Sequence, residues 1–377
     1  MNVEVIGGGF DNKGAELMTL AVRQRLHSWD PTHRLYMPLN SGSPSARARA
    51  GYGAALHVDS SRLDRANRLL EAVSHLIPAG RRTVGCSDVD VVLDISGFVY
   101  SDAWGARHTE RHATMFRALK DGGAKIVLMP QAFGPFTGEA IRGATRSLLD
   151  TASLTFARDS VSMSFLEDLG ELPGTVEIAP DFTNLVVPNE RTALVEPPAA
   201  VAVVPNVRLL DKTDAHRAEN YLELLRIAVD HLAQTTGVYV LVHETGDHEL
   251  AQRLSDEAHS TVPVVAAADP LVLKRYLGAS QFVVGSRYHA LVSALSQGVP
   301  VVAVGWSHKY EMLLTEYRQE NNLLSVGSSP AEIRDRLDDA ANSATDERVL
   351  ADLWSDAKKQ RQRSEAMWAT VRTATGL

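Results

Sequence analysis

The chain reads as an α/β protein of two Rossmann-like domains followed by a C-terminal helix. Three observations predict this. Short β-rich runs alternate with longer helical stretches over most of the length, the pattern of parallel strands joined by crossover helices. At 377 residues the chain exceeds the size at which one core stops growing. The alternation breaks once, from Val187-Pro188 through Glu196-Pro197-Pro198, where prolines and charges replace periodicity, and then restarts.

In the first half, strands are predicted at Val3 to Ile6, Leu35 to Pro38, Val89 to Ile95, Ile126 to Met129, Leu154 to Ala157 and Val176 to Ile178. Helical periodicity fills Ala15 to His27, Arg62 to Leu76, Thr109 to Asp121, Glu139 to Asp150 and Ser160 to Leu169. After the break, strands are predicted at Val201 to Val204, Val238 to His243, Val262 to Val265, Phe282 to Val284 and Val299 to Val304. The helices between them are His216 to Gln234, Asp247 to Ser260, Pro270 to Gly278 and Tyr288 to Gln297. The expected domains are therefore 1–190 and 198–345. A polar helical tail, 346–377, carries Trp354 and Trp368 among its few large apolar residues and either braces the first domain or lies loosely held.

A formal net charge of -8 argues against broad non-specific nucleic-acid binding, so any basic pocket must be specific. The single Cys86 forms no internal disulfide, and no Cys-His set has zinc-ligand spacing, so a reducing compartment and no metal are expected. The opening MNVEVIGGGF lacks a basic region followed by an apolar core, and no run of about 18 apolar residues occurs. A soluble cytoplasmic protein is expected, with peripheral membrane association and homo-oligomerisation both compatible.

The richest stretch is 281–310, QFVVGSRYHALVSALSQGVPVVAVGWSHKY. Two apolar strands each end in small and cationic residues: Gly285-Ser286-Arg287-Tyr288-His289 opening a helix, then Gly305-Trp306-Ser307-His308-Lys309-Tyr310. Ligands of open α/β sheets gather beyond the carboxyl ends of strands, where helix N-termini offer N–H groups to anions. Arg287 adds a planar fork for phosphate or carboxylate. His289, two residues further on, reads as an acid made active by a bound anion, or else as a structural histidine bonded to a carbonyl; Ser286 and Lys309 nearby favour the functional reading.

Other strand ends are more ambiguous. Gly7-Gly8-Gly9 leads to Asn12, which can cap the following helix, but Asn12 stands where G-x-G-x-x-G needs its third glycine, so NAD is disfavoured. The loop is a plain turn or a substrate loop. Ser96-Gly97 through Asp102-Ala103-Trp104-Gly105 suits a sugar, with Trp104 for stacking and Asp102 as base to a hydroxyl. The same residues also fit a capping aspartate and a packing tryptophan. Arg158 binds an anion or pairs with Asp181, with Asp159 or Ser160 as a helix cap. Gln131 orients a ligand or marks a rigid turn. His243 and Asp247 are two ligands without a third, which is no metal site, and Asp247 is expected to cap the next helix.

Together, Asn12-Lys13-Gly14-Ala15-Glu16, Ser96-Gly97-Phe98 with Asp102-Ala103-Trp104-Gly105, Met129-Pro130-Gln131, Ala157-Arg158-Asp159-Ser160, the Ser-Arg-Tyr-His helix start and Trp306-Ser307-His308-Lys309-Tyr310 resemble the polysaccharide pyruvyl transferase family, from residue 4 to about 330. Many members carry Gly-Asp where this chain has Gly14-Ala15-Glu16, and Ser96 replaces a third glycine. The resemblance implies a GT-B-like fold and transfer of the pyruvyl group of phosphoenolpyruvate onto sugar hydroxyls, closing a ketal and releasing phosphate in cell-surface glycan or glycolipid biosynthesis. It places the donor mainly on the second domain, at Gly285, Ser286, Arg287, His308, Lys309 and His243, with Arg158 of the first. The sugar or glycolipid acceptor falls to the first, at Asn12, Lys13, Glu16, Asp102, Trp104 and Gln131. His289, Arg287 and Asp102 are the expected catalytic residues. Phosphoenolpyruvate is a co-substrate, and no further cofactor or metal is implied. The same architecture also serves nucleotide-sugar glycosyltransferases and epimerases, and a non-catalytic sugar-binding relative is a third reading.

Overall fold

The computed structural model describes residues 1–56, 83–188, 200–211, 213–305 and 307–377. The predicted helix Arg62 to Leu76, Trp306 and most of the proline-rich break lie outside the described residues. Two compact units emerge: Met1–Phe10 with Met18–Phe182 and Arg363–Leu377, and Asp11–Leu17 with Thr183–Gln362. The division differs from the sequence reading at two places. Residues 11–17 go with the second unit, and the long helix Glu347–Thr375 is shared, its residues from Arg363 on going with the first.

Among the described residues the first unit holds an eight-stranded parallel sheet. Its strands are β1 (Asn2–Ile6), β2 (Arg34–Pro38), β3 (Tyr52–Leu56), β4 (Thr83–Gly85), β5 (Val91–Asp94), β6 (Lys125–Gln131), β7 (Leu154–Ala157) and β8 (Thr175–Ile178), in the order β4-β3-β2-β1-β5-β6-β7-β8. β3 and β4 had not been expected: YGAAL and TVG are short and carry few β-branched residues, so neither shows a strand pattern. The helices Ala106–Asp121 and Glu139–Leu149 press Phe116, Leu119, Leu148 and Leu149 into the core with Val92, Ile126 and Leu128 of the sheet. Trp368, of the terminal helix, is buried edge-on to Trp29 and Phe182, with ring centroids 5.7 and 5.6 Å away, whereas Trp354 is half exposed.

The second unit holds β9 (Val201–Val204), β10 (Val238–Val242), β11 (Val264–Ala266), β12 (Val283–Gly285), β13 (Val301–Val304) and β14 (Leu323–Leu324), in the order β11-β10-β9-β12-β13-β14. Every pairing is parallel. Both faces are covered, which is why the strands read as unbroken apolar runs. Val201 and Val203 of β9 enter one core with the helices Ala215–Thr235 and Pro330–Ser343, while Ala202 and Val204 enter the other with Pro270–Ala279 and Tyr288–Leu295. That split is the two-residue alternation of a strand. Pro330–Ser343 and His308–Glu316 are helices the periodicity did not reveal; the former starts on a capping box, Ser329 N donating to Glu332 Oε2 at 2.7 Å.

Candidate functional site

Strand order reverses direction between β9 and β12 in the second unit, the kind of switch point beyond whose carboxyl ends open α/β sheets bind ligands. Ser286 anchors this point. Its carbonyl accepts from Asn206 Nδ2 at 2.9 Å and from Tyr310 Oη at 2.8 Å, and its hydroxyl bonds the Tyr221 phenol. The loops after β9, β12 and β13 are thus fastened together beside the start of the helix Tyr288–Leu295.

Arg287 precedes that helix and is buried. Its Nε donates to Asp247 Oδ2 at 2.9 Å, its Nη2 to Asp247 Oδ1, and its Nη1 to Glu244 Oε2. One N–H on each terminal nitrogen lies outside these bonds. Asp247 also accepts from Val207 N at 2.9 Å, and it makes no cap bond to the helix it precedes, contrary to the sequence expectation. A buried guanidinium with two carboxylates at its side outbids a single exposed amide for that aspartate.

Glu244 extends the network. Its Oε2 also accepts from Asn12 Nδ2 at 2.9 Å, and residue 12 pairs with residue 244 in an antiparallel bridge. Asn12 Oδ1 caps the next helix as expected, accepting from Gly14 N at 2.8 Å. Lys13 N donates to the His243 carbonyl at 3.2 Å, and Lys13 Nζ meets Glu16 at 2.7 Å and the Ala268 carbonyl at 2.6 Å. Asn12, Lys13 and Glu16, expected with the first domain, therefore pack with the second.

His243 directly follows β10 in a buried position, its Nδ1 without a hydrogen-bond partner among the described residues. Burial, followed by the charges of His289, Arg287 and Lys13, pushes its imidazole down to about 3, so the ring is neutral near neutrality. Arg287, Lys13 and a second imidazole, that of His289, thus lie close enough to act on one buried ring. His289 is half-buried, T-shaped to Tyr288 at 5.5 Å. The Lys309 ammonium lies 5.8 Å from the Tyr288 ring centroid and 5.2 Å from that of Tyr310. Gly285 closes β12 against Val204, and His308 opens the helix His308–Glu316.

The first unit carries its own polar cluster. Asp94, fully buried at the end of β5, accepts from Ser96 N at 3.0 Å, from the Tyr100 phenol at 2.6 Å and from Gln131 Nε2 at 3.4 Å. Burial and the Asp94 carboxylate push that phenol well above its usual range, and its oxygen also bonds His112 Nδ1 at 2.6 Å. Four-residue spacing aligns Trp104, His108, His112 and Phe116, with successive centroids 5.4, 4.6 and 5.8 Å apart. Trp104, at the open end of this stack, is 54% exposed. Asp102 accepts from Thr137 N at 3.1 Å and from Thr137 Oγ1 at 2.9 Å, the geometry of a loop clip. Arg158 lies 3.7 Å from Asp181, both buried, and Asp159 caps the next helix through Ser162 N at 2.7 Å.

The structure thus gathers His243, Ser286, Arg287, His289 and Lys309 at one corner of the second unit, together with Asn12 and Lys13. Asp102, Trp104, Gln131 and Arg158 belong to the first. Glu244 and the Asp94–Tyr100–His112 chain were missed in the sequence; the four-residue recurrence of aromatic rings was the available signal for the latter, and nothing local marks Glu244. Among the described residues no group of three or more His, Cys, Asp or Glu could hold a metal ion, and no helix is long and apolar enough to cross a membrane.

The family described as polysaccharide pyruvyl transferase matches residues 12–308. No curated protein sequence matches the chain. Among solved structures, S. aureus MnaA with UDP is similar at a TM-score of 0.61 and 14% identity, covering 98% of this chain and 96% of that one. HepE of Anabaena, in complex with UDP and glucose, gives 0.56 and 15%, covering 98% and 99%. The Neisseria meningitidis UDP-GlcNAc 2-epimerase bound to UDP-GlcNAc gives 0.54 and 11%, covering 95% and 98%. At such identities the likeness is one of fold, the GT-B-like arrangement of two Rossmann-like domains with a C-terminal helix.

Proposed function

We propose that this chain, which belongs to the polysaccharide pyruvyl transferase family, moves the pyruvyl group of phosphoenolpyruvate onto two hydroxyls of a sugar in a cell-surface glycan or glycolipid precursor. What supports the donor is this corner: Arg287, Lys13 and His289 beside a buried neutral His243, with Lys309 at the start of the neighbouring helix. Phosphoenolpyruvate carries a carboxylate and a phosphate and needs cationic grips on both. Lys309, the N–H groups of Arg287 that lie outside its carboxylate bonds and the start of the helix Tyr288–Leu295 are assigned to them, with His308, Ser286 and Gly285 beside them.

In this reading His289 protonates the methylene carbon, and the resulting oxocarbenium-like carbon takes a sugar hydroxyl, whose proton passes to the imidazole that the first step left neutral. Phosphate then leaves with the C–O bond pair, and a second hydroxyl attacks the same carbon and yields its proton to the departing phosphate, closing the ketal. Glu244 and Asp247 hold Arg287 in place rather than touching substrate. Trp104 offers its exposed indole face to the acceptor, and Gln131 and Arg158 stand at strand ends of the same unit. Asp102 acts as base only if an oxygen leaves Thr137.

Incubation with phosphoenolpyruvate and a panel of glycan precursors tests the proposal: inorganic phosphate and an acceptor heavier by a pyruvyl ketal are expected. Since the UDP-bound neighbours share the fold, a nucleotide-sugar reaction is the rival. Thermal shift separates the two, because a ligand that binds only the native state raises Tm by an amount that grows with the logarithm of its concentration over Kd; stabilisation by UDP-sugars and none by phosphoenolpyruvate would reverse the assignment.

A further inference from the structure

We infer that Gly14 is the residue that positions His289, an inference resting on the reading of His289 as the proton donor. Gly14 is the second residue of the helix Lys13–Trp29. A methyl group at its α-carbon would lie 2.4 Å from His289 Nδ1, 2.6 Å from Cγ and 2.8 Å from Cβ, distances at which atoms overlap. Gly14 is not among the residues with positive φ. A turn therefore does not require glycine here, and in a helix glycine costs about 1 kcal/mol relative to alanine. What the missing side chain provides is room for the imidazole to lie against helix backbone.

That wall is itself fixed. Asn12 Oδ1 holds Gly14 N at 2.8 Å and Ala15 N at 3.3 Å, while Asn12 Nδ2 holds Glu244 at 2.9 Å. Lys13 N is bonded to the His243 carbonyl at 3.2 Å. Glu244 in turn grips Arg287, two residues before His289. The contacts close a ring, Arg287 to Glu244 to Asn12 to Gly14 to His289, so the edge of the imidazole bearing Nδ1 is set by the same strap that holds the guanidinium. Gly14 acts on the reaction only through His289.

The test is Gly14→Ala, with Gly143→Ala as control, since a methyl at Gly143 meets nothing within 4 Å. Expected for Gly14→Ala is a kcat for phosphate release lowered about a hundredfold, as for a group misplaced by about 1 Å, with KM for phosphoenolpyruvate changed less than about twofold. The imidazole resonance of His289, assigned by its loss in His289→Asn, shifts in Gly14→Ala and stays put in the control. An unmoved resonance with unchanged kcat overturns the inference. If the wild-type protein releases no phosphate, the functional reading fails, and the resonance alone decides the positioning. Should Gly14→Ala fail to fold, Asn12→Ser, which keeps a cap and loses the bond to Glu244, must shift the same resonance; no shift there overturns it equally.

Discussion

Arg287 lies side-on against Asp247, Nε donating to Oδ2 at 2.9 Å while Nη2 donates to Oδ1. Asp247 is fully buried and also holds the backbone after β9 through Val207 N, so one carboxylate ties three strand ends together. Removing one partner of a buried pair leaves the other charge stranded, at a cost of about 3 to 5 kcal/mol. Asp247→Ala is predicted to lose stability of that order in urea unfolding, and to weaken phosphoenolpyruvate binding because Arg287 loses its bracket. A loss below about 1 kcal/mol would mean that the pair is not structural.

Glu4 gives a pH dependence with a definite sign. Burial raises its carboxyl to about 8, against an ordinary value of 4.5, so the native state keeps a proton that the unfolded chain releases. Stability from this group is complete below pH 4.5 and is lost as pH rises through about 8. His243 works in the opposite sense, its neutral native form losing stability as pH falls from 6.5 toward about 3. Glu4→Gln is predicted to raise Tm at pH 8.5 and to change it little at pH 5, read by scanning calorimetry; equal effects at both would contradict the buried proton.

Trp104 and Asp102 separate acceptor binding from loop structure. Trp104→Ala should raise KM for the acceptor roughly fivefold, the loss of about 1 kcal/mol of ring contact, with KM for phosphoenolpyruvate unchanged. Asp102→Asn should lower stability by about 1 kcal/mol through the bonds to Thr137, measured by denaturant titration, with kcat near the wild-type value. A collapse of kcat at unaltered stability would restore Asp102 as the base.

Much of this was legible in the residues. Apolar runs such as Val201–Val204 and Leu154–Ala157 were placed to the residue because a parallel strand covered on both faces has nowhere to put polar side chains. The cationic corner was visible because Arg287, His289 and Lys309 follow two adjacent strands. For the helix after β7 the sequence offered Asp159 or Ser160 as the cap, and Asp159 takes that place. Pairings across the sequence were not: Asp247 and Arg287 stand 40 residues apart, and the Asn12 to Glu244 bond spans 232. Local pattern carries no information on such partners, so Asp247 read as a cap and the Asn12 strap as part of the first domain. The helix Pro330–Ser343 was missed although Ser329-Pro330-Ala331-Glu332 spells a capping box, because its charged face obscures the apolar period.

Proton delivery by His289 to the donor's methylene carbon is the central step of the proposed reaction, and running it in deuterated water reads that step directly. Wild-type protein should yield a ketal whose methyl group carries one solvent deuterium, with phosphate released in equal amount, and His289→Asn should abolish both while still binding phosphoenolpyruvate. A ketal methyl without deuterium, or undiminished turnover in His289→Asn, would contradict it.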